Sequence, residues 1–287
     1  MNYNSINEIQ QLLKARNISL KKRWGQNFLV SPQIKEKTVD LIGPESEDSV
    51  WEIGPGIGSM SILLADRVAA LTLFEIDYGL VRFLEEQFAQ VRSVRILGGD
   101  FLATWQTVRD ERGLPDKLVG NLPYSSGSAM IVDLIKHGGI TKKMVFLLQR
   151  EVAERMTAGP GSKDYSFFSV ICASALDIQV QGRVNPGAFY PRPEVVSAIV
   201  ECRPSPLYSQ IEDRDLFISL TKLLFSSRRK TVKNNLLGGP AASRFGEKYL
   251  LNALDLCGID PGIRAEQLPA EVLIRLANTI ARGESVS

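Results

Sequence analysis

Short apolar runs, each stopped by glycine, an acid or asparagine, constrain this chain more than any other feature. Val50–Ile53 runs into Gly54-Pro55-Gly56-Ile57-Gly58 and then a helical stretch over Met60–Arg67. Leu71–Glu75 is followed by helical periodicity over Tyr78–Gln90, and Val94–Leu97 ends in Gly98-Gly99-Asp100. Leu118–Gly120 ends in Asn121-Leu122-Pro123-Tyr124, and Met144–Gln149 leads into a polar helical face with Glu151, Glu154 and Arg155. Strands alternating with helices demand crossover connections, so the expected fold is α/β with a doubly wound, mostly parallel sheet. Ile178–Val184 and Val195–Glu201 read as a closing antiparallel strand pair.

The flanks differ. The first twenty residues read as one amphipathic helix, with Ser5 and Glu8 at capping-box spacing. A second helix is expected from Ser31-Pro32 to Gly43, and the segment Arg23–Leu29 between them fits neither period. Pro204-Ser205-Pro206 breaks the pattern, and beyond it only helical spacing appears. The reading is one α/β domain over 1–205 and a small all-helical domain over 206–287.

Composition excludes several classes. No apolar run is long enough to cross a bilayer, and the polar start Asn2-Tyr3-Asn4-Ser5 does not read as a signal peptide. Cys172, Cys202 and Cys257 are isolated, which argues against a zinc ribbon or disulfide framework and suits a reducing cytoplasm. His137 is the only histidine, so neither a serine triad nor a histidine-rich metal centre is expected, and no metal site is assigned. Net charge is +2, with acids and bases nearly balanced on both sides of Pro204. Basicity is therefore local: Lys21-Lys22-Arg23 beside Trp24, and Arg228-Arg229-Lys230 with Lys233 after Phe225. A short basic run is commonly plain solvated surface; two such runs beside aromatics favour a polyanion footprint.

Ligands in open α/β sheets bind beyond the carboxyl ends of the strands, where Gly54, Glu75 and Asp100 fall in order. Singly, a strand-end acid is usually a helix cap. Together they fit a nucleoside: glycines for close backbone approach, Glu75 for two ribose hydroxyls, Asp100 for an adenine amine. The spacing is G-x-G-x-G rather than that of dinucleotide sites, and no lysine follows for phosphates. In Asn121-Leu122-Pro123-Tyr124, an amide oxygen and a backbone carbonyl can accept both hydrogens of an exocyclic amine, while Tyr124 offers a face for the base. Alone, this tetrapeptide is equally a rigid turn with a buried tyrosine. Beside the nucleoside site it fits methyl transfer to an amine by orientation, without metal or strong base.

At these residues the chain resembles the ribosomal RNA adenine dimethyltransferases of the KsgA/RsmA family. The likeness spans nearly the whole chain: Gly25-Gln26-Asn27-Phe28-Leu29, Glu52 through Gly56, Glu75-Ile76-Asp77, Gly120 through Tyr124, Phe189-Tyr190-Pro191-Arg192-Pro193 with Val196-Ser197, and Phe225 through Lys230 with Asn234. The resemblance implies a Rossmann-like methyltransferase sheet with a helical C-terminal domain. It also implies that Asn27, Leu29, Gly54, Glu75, Asp100 and Asn121 contact S-adenosylmethionine, and that Tyr124 and Phe189 flank the target adenine. The implied reaction dimethylates N6 of two adjacent adenines near the 3′ end of small-subunit 16S rRNA, by a cytoplasmic monomer. The family's tetrapeptide usually continues Asn-Ile-Ser; here Ser125-Ser126-Gly127 follow, at the wall of the expected acceptor pocket.

Among rivals, DNA adenine methyltransferases typically carry an acid where Asn121 stands. Erm-type large-subunit enzymes share the tetrapeptide, but the Phe189–Pro193 and Phe225–Lys230 segments favour the small-subunit type. A same-fold RNA-binding assembly factor would not require both intact sites, and an NAD-dependent dehydrogenase is the remaining outsider.

Overall fold

The structure, a computed structural model, describes residues 1–21 and 24–284. Among these residues nine strands and thirteen α-helices follow in chain order: α1 (Ile6–Ala15), β1 (Phe28–Leu29), α2 (Pro32–Ile42), β2 (Ser49–Ile53), α3 (Ser61–Leu64), β3 (Ala70–Glu75), α4 (Tyr78–Gln87), β4 (Val94–Gly98), α5 (Phe101–Arg112), β5 (Lys117–Asn121), α6 (Gly127–Lys136), β6 (Lys143–Gln149), α7 (Arg150–Met156), α8 (Phe167–Ala175), β7 (Leu176–Val184), β8 (Phe189–Tyr190), β9 (Ser197–Pro204), α9 (Arg214–Leu224), α10 (Val232–Leu237), α11 (Pro240–Phe245), α12 (Glu247–Leu256) and α13 (Ala270–Glu284).

Seven strands form one sheet in the order β4-β3-β2-β5-β6-β9-β7. The β2–β3, β3–β4, β2–β5 and β5–β6 pairs are parallel, and β6–β9 is antiparallel. The expected mostly parallel sheet with a closing pair is thus present. The chain winds outward from β2 to β4 and returns to the other side of β2 at β5. That reversal opens a crevice between the carboxyl ends of β2 and β5, the usual place for a ligand in such sheets.

Strand alternation sends side chains to opposite faces. One face carries Val50, Leu71, Leu73, Val119 and Val145, packed with Val39, Ile42, Leu64, Leu80 and Leu84 from α2, α3 and α4. On the other, Trp51 meets Phe74 edge-on at 5.1 Å, Phe74 meets Phe101 at 5.1 Å, and Phe101 stacks near Trp105 at 6.1 Å. The Trp105 Nε1–H donates to Asp133 at 2.7 Å, which satisfies the polar tip of a fully buried ring.

Several boundaries depart from the sequence reading. Helix α1 stops at Ala15 because Asn17 takes a left-handed conformation (φ 52°) and Ile18 N–H turns back to the Leu13 carbonyl. Only half of the capping box forms: Ser5 accepts from Glu8 N–H, whereas the Glu8 carboxylate accepts from Asn2 N–H. The unassigned segment before Ser31 holds β1, which pairs antiparallel with β8. Helices α5, α6 and α8 were not evident from periodicity. In α5 only Phe101, Trp105 and Val108 are buried, too sparse a stripe, while α8 is buried on nearly every side and so has no stripe.

The backbone divides into two compact units: residues 1–133, 139–153 and 178–203 in the first, and 134–138, 154–177 and 204 onward in the second. The second unit therefore includes segments that precede the Pro204–Pro206 break. Within it the Tyr165 hydroxyl donates to the Leu268 carbonyl at 2.8 Å, and the Asn235 amide donates to the Leu224 and Ser227 carbonyls. Beyond Pro206 the described residues form helices and turns.

Gly120 sets the closeness of the two central strands. A Cβ there would lie 2.7 Å from the Ile53 carbonyl oxygen of β2, a backbone atom with nowhere to go. Gly120→Ala is expected to destabilise the protein by about 1–3 kcal/mol, the usual cost of overpacking. Urea unfolding measures it; an unchanged midpoint would show that the strands are free to spread.

Candidate active site

The crevice at the strand reversal is a cavity of about 410 Å³, within the range of small-ligand sites. Its lining comes from the ends of β2 (Ile53, Gly54, Gly56), β3 (Phe74, Glu75, Ile76) and β5 (Asn121, Pro123, Ser125, Ser126), from the β4–α5 junction (Gly99, Asp100, Phe101, Leu102), and from Trp24 through Phe28. Gly56 has φ 60°, and a Cβ on it would lie 2.8 Å from Phe28 Cδ1. Only glycine lets the Trp24–Phe28 segment settle onto this loop.

Glu75, 4 % exposed, closes β3. Its Oε2 accepts the Gly56 N–H at 3.0 Å and its Oε1 accepts the Asp77 N–H at 2.9 Å. Each oxygen keeps a second lone pair, so the carboxylate can still take two hydroxyls. Burial pushes its pKa up to about 7, opposed by the two backbone donors. Asp100 caps α5, Oδ1 accepting the Leu102 N–H at 3.0 Å; among the described residues its Oδ2 has no protein partner. Asn27 turns its amide N–H to the Gly25 carbonyl at 3.0 Å.

The turn after β5 is fixed from two sides. The Asn121 Nδ2–H donates to the Asn27 carbonyl at 2.7 Å. A carbonyl can only accept, so this bond sets the amide orientation and leaves Asn121 Oδ1 as an acceptor. The Leu122 N–H donates to the Leu147 carbonyl at 2.9 Å, while the Leu122 carbonyl has no donor among the described residues. The Pro123 carbonyl receives Ser126 N–H and Gly127 N–H at 3.2 and 2.8 Å, which locks Ser125-Ser126-Gly127 into the start of α6. Two consecutive residues thus keep an unengaged acceptor among the described residues, Asn121 at Oδ1 and Leu122 at its carbonyl; of the two, only Asn121 lines the cavity.

Other residues singled out from the sequence are placed differently. The half-buried Tyr124 has its hydroxyl tied to Ser197 Oγ at 2.6 Å, and burial raises its pKa. Phe189 is 2 % and Leu29 3 % exposed; both belong to the core, paired across β1 and β8. None of these three, nor the buried Leu122, is among the cavity-lining residues. The ammonium of Lys21 lies 3.9 Å from the Trp24 ring centroid and 3.7 Å from Asp77 Oδ2; Lys22 and Arg23 lie outside the described residues. In the second unit Arg228 bonds Glu266 at 2.9 Å and the Lys163 carbonyl at 2.8 Å, whereas Arg229, Lys230 and Lys233 are exposed. Phe225 meets Tyr165 edge-on at 5.8 Å. No cluster of three or more His, Cys, Asp or Glu able to hold a metal occurs among the described residues. No helix among them is long and apolar enough to cross a membrane.

Sequence reasoning passed over Ile76, Phe101 and Gln26, which line the cavity. Ile76 and Phe101 each directly follow a strand-end acid, a position that could have flagged them. It also assigned no role to Glu52, which is fully buried on β2. Glu52 Oε2 accepts the Ser61 hydroxyl at 2.7 Å, and Oε1 has no partner among the described residues. Burial raises its pKa to about 7; the Ser61 bond opposes this and the negative field of Glu75 adds to it.

A folded-state pKa near 7, above the ordinary 4.5, means that the native protein holds this proton more tightly than the unfolded chain. Stability should therefore fall as pH rises from about 4.5 to about 7 and level off above. Glu52→Gln, which stays neutral, is expected to flatten this fall, leaving the part due to Glu75. Chemical denaturation at pH 5 and pH 8 measures both slopes; equal slopes in variant and parent would show that Glu52 is ionised throughout.

The chain matches the family model described as ribosomal RNA adenine dimethylase over residues 17–282. It is 40 % identical over 282 residues to the ribosomal RNA small subunit methyltransferase A of Treponema pallidum (strain Nichols), covering 97 % of each chain. The protein of that name from Borreliella burgdorferi (strain B31) is 35 % identical over 283 residues, covering 98 % of this chain and 95 % of its own. Among solved structures, a dimethyladenosine transferase from Plasmodium falciparum superposes with a TM-score of 0.77 at 22 % identity, over 88 % of this chain and 97 % of that one. The 23S rRNA methyltransferase ErmE superposes at 0.62 and 23 % identity, over 89 % of this chain and all of its own. These two likenesses establish the Rossmann-like fold alone. The match across the length of the sequence establishes the family: this chain belongs to the ribosomal RNA adenine dimethylases.

Proposed function

We propose that the protein uses S-adenosylmethionine to dimethylate N6 of two adjacent adenines near the 3′ end of 16S rRNA, acting on the small ribosomal subunit in the cytoplasm. The observation that carries this reading is Asn121, whose Oδ1 is left as an acceptor in the lining of a cavity that also holds Glu75. The small-subunit names of the relatives at 34–40 % identity favour it over an Erm-type large-subunit substrate.

The cavity suits the donor. Gly54 and Gly56 leave the loop backbone bare, Glu75 offers a lone pair on each oxygen, and Asp100 Oδ2 is unengaged by protein among the described residues. Glu75 would take the ribose hydroxyls, Asp100 the adenine amine, and Asn27 and the Leu29 backbone the remainder. Bound there, S-adenosylmethionine supplies a methyl group on a sulfonium, which departs as S-adenosylhomocysteine. The chain's own task is to present the amine. Its lone pair is delocalised into the adenine ring; in the first transfer, hydrogen bonds from both N–H groups to Asn121 Oδ1 and the Leu122 carbonyl would draw the nitrogen toward tetrahedral geometry. After each transfer the nitrogen gives up one proton to solvent, and the second transfer has one N–H left to orient. Orientation of this kind supplies much of a barrier reduction. Tyr124, anchored through Ser197, would stack on the extruded base. Phe189 is the proposed second flank; its burial means that a base reaches its ring only once the surrounding segment shifts.

RNA backbone would be held by Lys21, Lys22 and Arg23 and by Arg228, Arg229, Lys230 and Lys233. The test of the whole reading is labelled methyl transfer to undermethylated small subunits, with the modified nucleotides mapped. Two adjacent dimethyladenines near the 3′ end are expected; modification of large-subunit RNA instead would overturn it. Asn121→Ala should abolish single-turnover transfer at saturating donor and RNA while RNA affinity is largely kept; near-parental transfer would refute the amine geometry. Replacing Arg228, Arg229 and Lys230 by alanine should lower the slope of log affinity against log salt by roughly 0.7–0.9 for each phosphate no longer neutralised. An unaltered slope would mark the cluster as solvated surface.

A further inference from the structure

Gln26 and Asp77 make a hydrogen bond that no step described so far requires. Asp77 is 3 % exposed and caps α4, its Oδ1 accepting the Gly79 N–H at 2.9 Å. Its Oδ2 accepts from Gln26 Nε2 at 3.1 Å. The other end of the Gln26 amide, Oε1, accepts the Lys21 N–H at 2.8 Å. One residue on, the Asn27 carbonyl receives the Asn121 amide at 2.7 Å. On the far side, the Asp77 N–H donates to Glu75 Oε1 at 2.9 Å. A continuous chain of bonds therefore runs from the carboxylate assigned to the donor ribose, through Asp77 and Gln26, to the amide assigned to the acceptor amine.

We propose that Gln26 and Asp77 are a positioning pair, which holds the Asn27 carbonyl where it fixes the Asn121 amide and thereby sets the angle of the attacking amine. The proposal rests on the functional reading above and deepens it. Neither side chain touches the reacting atoms; they act through Asn27. The polarity of the bond is fully determined. An ionised carboxylate can only accept, so Gln26 must present Nε2–H to Asp77 Oδ2, and the Lys21 N–H on Gln26 Oε1 fixes the amide in that same orientation. Losing this bond removes one hold on Gln26 and so on the adjoining Asn27 carbonyl, the partner that orients the Asn121 amide. A misplacement of about 1 Å at a reacting centre can cost roughly a hundredfold in rate.

This polarity suggests a reciprocal test. Asp77→Asn keeps the cap through its carbonyl oxygen but sets an NH2 against the Gln26 NH2. Gln26→Glu sets a carboxylate against a carboxylate. The double variant Gln26→Glu with Asp77→Asn rebuilds the bond with donor and acceptor exchanged, in the same net charge, and the new carboxylate still accepts the Lys21 N–H. Each single variant, and Gln26→Ala, is expected to lose about ten- to a hundredfold in single-turnover transfer at saturating donor and RNA, and the double variant to recover most of it. A mere wall of the donor cavity would raise KM for the donor and leave kcat alone. Unchanged kcat in Gln26→Ala, or a double variant as slow as either single one, would falsify the proposal. If a single variant fails to fold, Gln26→Ala and the double variant still decide. The parent chain assayed in parallel separates the two levels: no transfer to small-subunit RNA by the parent overturns the functional reading and this proposal with it. Parental transfer with indifferent variants overturns the positioning pair alone.

Discussion

Everything at the site depends on how closely β2 and β5 approach. Their parallel pairing puts Ile53 opposite Gly120, so the glycine loop and the Asn121 turn leave the sheet side by side. Gly120 has no side chain to hold the strands apart, and its missing Cβ is the space occupied by the Ile53 carbonyl. From that approach follow the crevice, the reach of the Asn121 amide to Asn27, and the meeting of residues far apart in sequence. The hydrogen bonds of Glu75 then tie the loop to the end of β3, giving the cavity a wall already oriented before any ligand arrives.

That arrangement costs stability. Glu52 and Glu75 lie on one side of the sheet in an apolar setting, and both carboxyls are pushed up to about 7 by burial. A core selected for stability alone would place leucine or methionine at such positions. Glu75 offsets the cost by organising two backbone amides and keeping lone pairs for hydroxyls. Glu52 holds Ser61 at the start of α3, directly beyond the glycine loop. The cavity and the strand ends around it are thus a region where local burial rules are broken by two buried carboxyls.

What the sequence disclosed and what it hid divide along physical lines. Strand ends were legible because each carries its own punctuation, and so Gly54, Glu75, Asp100 and Asn121 could be brought together without coordinates. Helix α2 was legible through Pro32 at its first position and left-handed Gly43 at its end. By contrast α8 is apolar all round, and α5 carries too few apolar residues to show a stripe. Strand β1 was hidden because a two-residue pairing with β8 leaves no period to detect. The burial of Phe189, the tie from Tyr124 to Ser197 and the engagement of Arg228 by Glu266 are tertiary facts. Residue type shows what a side chain could do; only packing shows what already occupies it.

The pairing of β2 with β5 also bears on the order in which the molecule is assembled. Ser49 and Asp116, bonded at the base of these strands, are 67 residues apart in the chain. The β2–β3 and β3–β4 pairings span far shorter loops, and short loops close with less entropy lost. A partly folded chain that has joined only β2, β3 and β4 already holds the glycine loop, Glu75 and Asp100. The β5 turn is brought beside them only through the longer loop that the β2–β5 pairing closes. The side of the cavity lined by the glycine loop, Glu75 and Asp100 is therefore local in sequence, and the side lined by the Asn121 turn is the non-local part.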